Sequence, residues 1–382
     1  MRVVPRIVVT VGLLALAVAV ATAAPAGAAA ETVVGQLYVN NNTAGVNTIS
    51  GFDRHADGTL TPLPGSPFAA GGAGTGSGIG SQGALQLSGD GRYLLAVDAG
   101  SNQISVLRIK PDGGLTAVEG SPVASGGSEP VSLAVHDKLV YVANAGDGAS
   151  NYTGFQLNSG GHLRPLSGST VPVPDGSGLG DVLFNGDGTR LVGVRVTTSL
   201  IDSFAVDTTG LLTAAAGSPF AAQGPGPFGS EFRPTNATQL FVSNAHGGAL
   251  NGTVSAFSDA ADGTLSSIGA SPFADNQTAP CWVELSHDGS YLFAVNTASN
   301  SISRYSIATD GTLTLLGSTP FKTGKLGAED ARLAPDGQTL WVVGTGSHTI
   351  NGFSVDGGSL TELQSSPTAL PAGDAPFGIV VT

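Results

Sequence analysis

Leu87-Ser88-Gly89-Asp90-Gly91-Arg92-Tyr93-Leu94-Leu95-Ala96-Val97 contains a turn and the apolar strand that leaves it. An Asp-Gly pair between apolar runs signals an antiparallel hairpin, because the tight turn asks for positive φ at both central residues. The same pair precedes an apolar strand at Asp187-Gly188, Asp288-Gly289 and Asp336-Gly337. Seven strands share the design: they begin at Leu37, Leu94, Val140, Leu191, Leu240, Leu292 and Leu340, with spacings of 57, 46, 51, 49, 52 and 48 residues. A period near fifty, repeated seven times, accounts for nearly the whole chain, so the repeat decides the architecture.

Each unit reads as four strands. An apolar first strand leads through the first turn to the second, and a polar bend follows. An alternating third strand comes next, such as Asn102-Gln103-Ile104-Ser105-Val106, then another Asp-Gly turn (Asp57-Gly58, Asp112-Gly113, Asp262-Gly263, Asp310-Gly311, Asp356-Gly357) and a short fourth strand. Gly-Ser-Pro-Phe or a relative then ends the unit. Four antiparallel strands in about fifty residues make one blade of a β-propeller. The last residues, Pro376-Phe377-Gly378-Ile379-Val380-Val381, look like a first strand with no second strand after it, whereas the N-terminal unit begins at its second strand. The prediction is an all-β, seven-bladed β-propeller with four antiparallel strands per blade, its ring closed by the C-terminal strand completing the N-terminal blade. Closure removes the exposed edge that a linear stack of sheets would leave.

Composition agrees. Gly (57) and Pro (22) make up about a fifth of the 382 residues, and only 11% are charged. Residues 1–30 read as a secretory signal peptide, with Arg2 and Arg6 before an apolar run and Ala28-Ala29-Ala30 as a cleavage site. This places the propeller at residues 31–382 and predicts secretion to the extracellular space, with no membrane span after signal removal. The remaining 13 cations face 28 anions, a balance that repels polyanions and excludes nucleic acid as a partner. The lone Cys281 makes no intramolecular disulfide, and a core of this size needs none.

The repeated pattern, clearest at residues 87–94 and in Leu333-Ala334-Pro335-Asp336-Gly337, resembles that of the seven-bladed propeller lactonases, the 6-phosphogluconolactonase and carboxymuconate cyclase-like group with YVTN-type repeats. The resemblance covers essentially the whole chain after residue 30 and implies hydrolysis or formation of an intramolecular ester. Members with that activity carry histidines just before several first strands. The corresponding positions here are Gly83, Val131, Gly180, Phe228, Cys281, Glu329 and Phe377, none of them histidine. The family's glutamate after the second strand is likewise replaced, by Asn41, Asp98, Asn144, Arg195, Asn244, Asn296 and Gly344.

Propeller sites form where the innermost strands open onto the central channel. The ionisable residues predicted there are Glu129, Asp181, Glu231, Glu284, Glu329, Asp330 and Arg332, beside Trp282. Six form the candidate catalytic set: Glu329, Asp330, Arg332, Asp181, Glu284 and Glu231. Two carboxylates could act as general base and electrostatic partner, with Arg332 or Arg195 polarising a carbonyl. They could instead hold a hard cation, a channel calcium, or simply be hydrated channel residues. No cofactor motif is present: the glycine run of residues 71–80 lacks the Gly-Lys-Ser/Thr of a phosphate loop and reads as a flexible connection between the first two blades. The expected partner is a small unphosphorylated lactone met by a monomer. The alternative is a non-catalytic secreted scaffold for a polysaccharide or protein.

Overall fold

The computed structural model describes residues 1–3, 32–322 and 327–382. The predicted signal segment therefore lies, apart from its first three residues, outside the described residues. Within Thr32–Thr382 the described strands form seven antiparallel sheets. From the channel outward, blade 1 consists of Ile379–Val381, Val33–Asn40, Thr48–His55 and Leu60–Pro62. Blades 2 to 7 have as innermost strands Leu85–Leu87, Pro130–His136, Leu179–Phe184, Pro227–Arg233, Pro280–Leu285 and Ala328–Leu333. Among the described residues no helix is long and apolar enough to cross a membrane.

Ring closure takes the predicted form. Ile379, Val380 and Val381 pair with Val39, Tyr38 and Leu37. The Gln36 N–H donates to Thr382 Oγ1 (3.0 Å) and the Thr382 N–H to Gln36 O (2.9 Å). Ile379 is fully buried and Val381 is 6% exposed, so the closing strand also completes a core shared with Leu37, Val39 and Trp341.

Two local details refine the reading of the repeats. In most Asp-Gly turns only the glycine has positive φ (Gly91 67°, Gly188 71°, Gly289 66°, Gly337 72°). The aspartate instead accepts from the N–H two residues on, as Asp90 Oδ1 does from Arg92 (3.1 Å) and Asp187 Oδ1 from Thr189 (3.0 Å). The side chain thus closes a slightly longer loop in place of a two-residue turn. The Gly-Ser-Pro repeat has an equally specific cause. In six blades a two-residue strand follows the motif or its relative and pairs again with the third strand, leaving one third-strand N–H in the gap between outer strands. Serine hydroxyls accept from it: Ser66 from Gly51, Ser121 from Val106, Ser169 from Gly154, Ser218 from Ser203, Ser271 from Ala256 and Ser366 from Gly352, at 2.7–3.3 Å. An otherwise orphaned backbone donor is satisfied each time. Blade 6 instead runs Leu313–Pro320 as one strand through a bulge and keeps four strands.

Candidate functional site

Strand pairing sorts the channel residues into layers. Gln86, Ala134, Leu183, Glu231, Glu284, Arg332 and Val380 face the second residue of each repeated apolar strand (Leu95, Tyr141, Val192, Phe241, Phe293, Trp341 and Tyr38) and are therefore equivalent. Before this layer, register shifts interrupt the pairing of the first strands of blades 3 to 7, for instance between Leu179 and Asp181 and between Ala328 and Ala331. A bulge re-aims the next side chain. In blades 3 to 7 the positions where the family carries histidine, Val131, Gly180, Phe228, Cys281 and Glu329, fall in these bulges.

The fold gathers five of the six predicted residues. Arg332 Nη1 donates to Glu284 Oε2 at 3.3 Å, and Glu284 Oε1 accepts from the Leu333 N–H at 2.8 Å. Asp181 Oδ2 accepts from both the N–H and the Oγ of Ser230 (3.0 and 2.7 Å), and Ser132 Oγ donates to its Oδ1 (3.2 Å). Asp330 Oδ2 accepts from the Gly83 N–H at 3.4 Å. Glu231 completes the group, with one buried oxygen, Oε2, lacking a hydrogen-bond partner. Glu329 does not join: it acts electrostatically on Cys281, and its Oε2 is likewise unpartnered. Asp330 accepts from the Gly83 N–H whereas Glu329 lies toward Cys281, and the two neighbours feel each other only as like charges.

Burial dominates the electrostatics. It raises Asp181 to about 7 against the pull of Ser230 and Ser132, and Glu284 to about 7 against Arg332. Burial also raises Asp330 to about 6 and Glu329 to about 9. Glu231 is driven well above the carboxylate range by burial and by Glu284. Arg332 is held firmly charged, first by Glu284.

A cavity of about 240 Å³ opens beside this group. Asp181, Glu231, Arg332, Ser230, Gln82 and Gln86 supply its polar lining, and Gly186 and Pro234 place its mouth at the turns between first and second strands. The Arg332 side chain is 25% exposed, enough to meet a ligand. A larger cleft of about 390 Å³ lies in the seam between blades 2 and 3. It is remote from the carboxyl group, and its Arg92 is paired with Asp90 at 2.6 Å.

Several expectations are corrected. Arg195 is not a channel residue in function: it pairs with Asp202, which also accepts from the Tyr152 hydroxyl. Among the described residues no group of three or more His, Cys, Asp or Glu side chains is placed to hold a metal ion. Arg332 already supplies the positive charge between the carboxyls. Glu129 is exposed at the rim. Cys281 is 8% exposed with its thiol pushed up to about 12 by burial, as a structural cysteine should be. Ser132, Ser230, Gln82 and Gln86 were missed; the signal available was the polar Ser81-Gln82 ending a glycine run directly before a first strand.

A ring of seven antiparallel blades around an axial cavity lined by Asp181, Glu231, Arg233 and Arg332 defines a seven-bladed propeller. The chain belongs to the family described as Lactonase, 7-bladed beta-propeller, which it matches over residues 37–184 and 191–377. Among solved structures it is similar to a Bacteroides fragilis protein provisionally named a 6-phosphogluconolactonase (22% identity, 91% of this chain and 98% of that one, TM-score 0.73). It is also similar to the Pseudomonas aeruginosa periplasmic gluconolactonase (18% identity, 91% and 99%, TM-score 0.71). At these identities the likeness concerns the fold. No curated protein matches the sequence.

Proposed function

We propose that the protein is an exported lactonase that hydrolyses a small, unphosphorylated lactone in the channel cavity. The observation that carries this reading is Arg332 lining the cavity together with the carboxyl groups of Asp181 and Glu231. In the reaction, Asp181 accepts a proton from water as the water oxygen bonds to the lactone carbonyl carbon. Arg332 stabilises the charge that develops on the carbonyl oxygen. The ring C–O bond then breaks and Glu231, pushed toward its protonated form by burial and by Glu284, gives its proton to the departing oxygen. A carboxyl raised to about 7 and a second one raised by burial and by the neighbouring Glu284 provide the base and the acid.

The phosphate is left out on charge grounds. Arg233 is held by Gln239 Oε1 (2.8 Å) and the carbonyls of Gly289 and Ala308 (2.8 and 2.9 Å), which leaves Arg332, itself paired with Glu284, as the one cation a ligand can meet in a cavity also lined by Asp181 and Glu231. A dianion beside these carboxyls needs more positive charge than one paired arginine supplies. The same cavity used for binding without catalysis, in a scaffold for a glycan or protein, is the second reading, and the missing histidines favour it. A panel of sugar and aliphatic lactones, with spontaneous opening subtracted, separates the two. Turnover that falls at least about tenfold in Asp181→Asn supports catalysis; lactones that open no faster than in buffer reject it.

A further inference from the structure

The glycine-rich connection between blades 1 and 2 is not the flexible linker that its composition implies. Residues 73–83 hydrogen-bond to all seven blades. Gly74 and Gly76 donate to the carbonyls of Thr43 and Asn42 in blade 1, and Ala73 O accepts from Gly100 in blade 2. Gly83 O accepts from the Leu133 N–H in blade 3, and the Gln82 N–H donates to Gly180 O in blade 4. Gln82 Nε2 donates to Ser230 O in blade 5 at 3.3 Å. In blade 6, Trp282 Nε1 donates to Ser81 O (2.7 Å) and the Val283 N–H to Gln82 Oε1 (3.2 Å). The Gly83 N–H reaches Asp330 in blade 7.

Apolar packing reinforces this crossing. Ile79 is 8% exposed and belongs to one core with Phe228, Trp282 and Phe377. The Phe228 and Trp282 rings stand 5.3 Å apart, and those of Trp282 and Phe377 6.5 Å. Glycine is required where the segment threads through: a Cβ at Gly74 would lie 2.3 Å from the Asn42 carbonyl carbon, and Gly80 has a φ of 56°.

We propose that residues 73–83 form an axial plug that closes the channel opposite the turn-side mouth, and that Gln82 is a positioning residue which sets Asp181 through Ser230. The plug stands on the contacts alone; the role of Gln82 in catalysis rests on the function proposed above. Gln82 pins the Ser230 carbonyl, and the same residue's N–H and Oγ are the two donors to Asp181 Oδ2. Moving Ser230 therefore weakens both donors together. The other ionisable groups facing Asp181 are Asp330, Arg332, Glu231 and Tyr152, and none of them bonds to Gln82. The cavity is blind, and ligand enters and product leaves by one mouth.

The test uses the full chain carrying Trp341→Phe, which leaves Trp282 as the sole tryptophan. Acrylamide quenching of Trp282 is expected to be weak and to rise at least about threefold in Gln82→Ala as the plug opens. With a lactone that the protein turns over, Gln82→Ala is expected to move the ascending limb of the pH–rate profile up by about half a unit, because lost donors disfavour the charged carboxylate. Gly186→Trp, at the mouth, is expected to lower kcat/KM at least about tenfold. Gln82→Met keeps the volume, loses both side-chain bonds and serves if Gln82→Ala does not fold. Trp282 as accessible as in the urea-unfolded chain overturns the plug, whether or not any lactone is turned over. An unshifted pH limb overturns the positioning role, and unchanged kcat/KM in Gly186→Trp overturns the single mouth.

Discussion

Replacing Asp181 with Asn is expected to stabilise the protein above neutral pH while removing its activity. Asp181 is 2% exposed, and burial lifts it from 3.8 to about 7. A carboxyl raised on folding leaves stability intact below its unfolded pKa and costs stability as pH rises through the folded value. At about 1.4 kcal/mol per pKa unit, the full shift corresponds to about 4 kcal/mol above neutrality. About 1.5 kcal/mol of that is already lost at pH 5, so about 2.5 kcal/mol falls between pH 5 and pH 8. Asn does not ionise. Its Oδ1 can still accept from Ser230, and its Nδ2 can donate to Ser132 Oγ, where one imperfect bond costs about 1–2 kcal/mol at every pH. The variant should therefore match the wild type near pH 5 and exceed it by about 2–3 kcal/mol at pH 8. Urea unfolding of both proteins at the two pH values and matched ionic strength measures this. Glu284 and Asp330 titrate in both proteins, so most of their contribution cancels in the comparison. An equal loss of stability at both pH values would refute the claim that Asp181 is charged at the expense of the fold.

Arg332→Gln should act in the opposite sense, removing the counter-charge of Glu284; it is expected to cost about 3–5 kcal/mol at pH 8 and much less at pH 5, read in the same unfolding experiment. Deleting residues 379–382 should lower stability by several kcal/mol and promote association, since it uncovers apolar core and the edge of Val33–Asn40; the urea midpoint and light scattering check this. Ser218→Ala leaves the Ser203 N–H unsatisfied and should cost about 1–2 kcal/mol, with Ser121→Ala similar, because each hydroxyl serves the same donor in its own blade. Added calcium should leave the melting temperature unchanged, since among the described residues no group of three or more His, Cys, Asp or Glu side chains is placed to hold a metal ion and only a ligand of the native state raises stability.

Much of the fold was legible because a propeller repeats. Seven apolar strands at a period near fifty, Asp-Gly turns recurring in most units and an unmatched strand at each end leave little choice of topology, and the same local rules apply in nearly every blade. The repeated anchors even supply the register that makes Gln86, Glu231, Glu284 and Arg332 equivalent. The candidate site was legible only as a set of residue types. Glu329 and Asp330 are neighbours in the chain yet face different surroundings, and Arg195 is engaged by an aspartate on the next strand of its own blade. Residues 73–83 were misjudged for a related reason: glycine signals backbone freedom in a chain considered locally, but here it lets the backbone pass close to seven sheets at once. Periodicity and turn chemistry act over a few residues and are written in the sequence. Which side chains share the axis, which carboxyl is charged and what seals the channel depend on blades separated by up to three hundred residues, and only closing the ring brings them together.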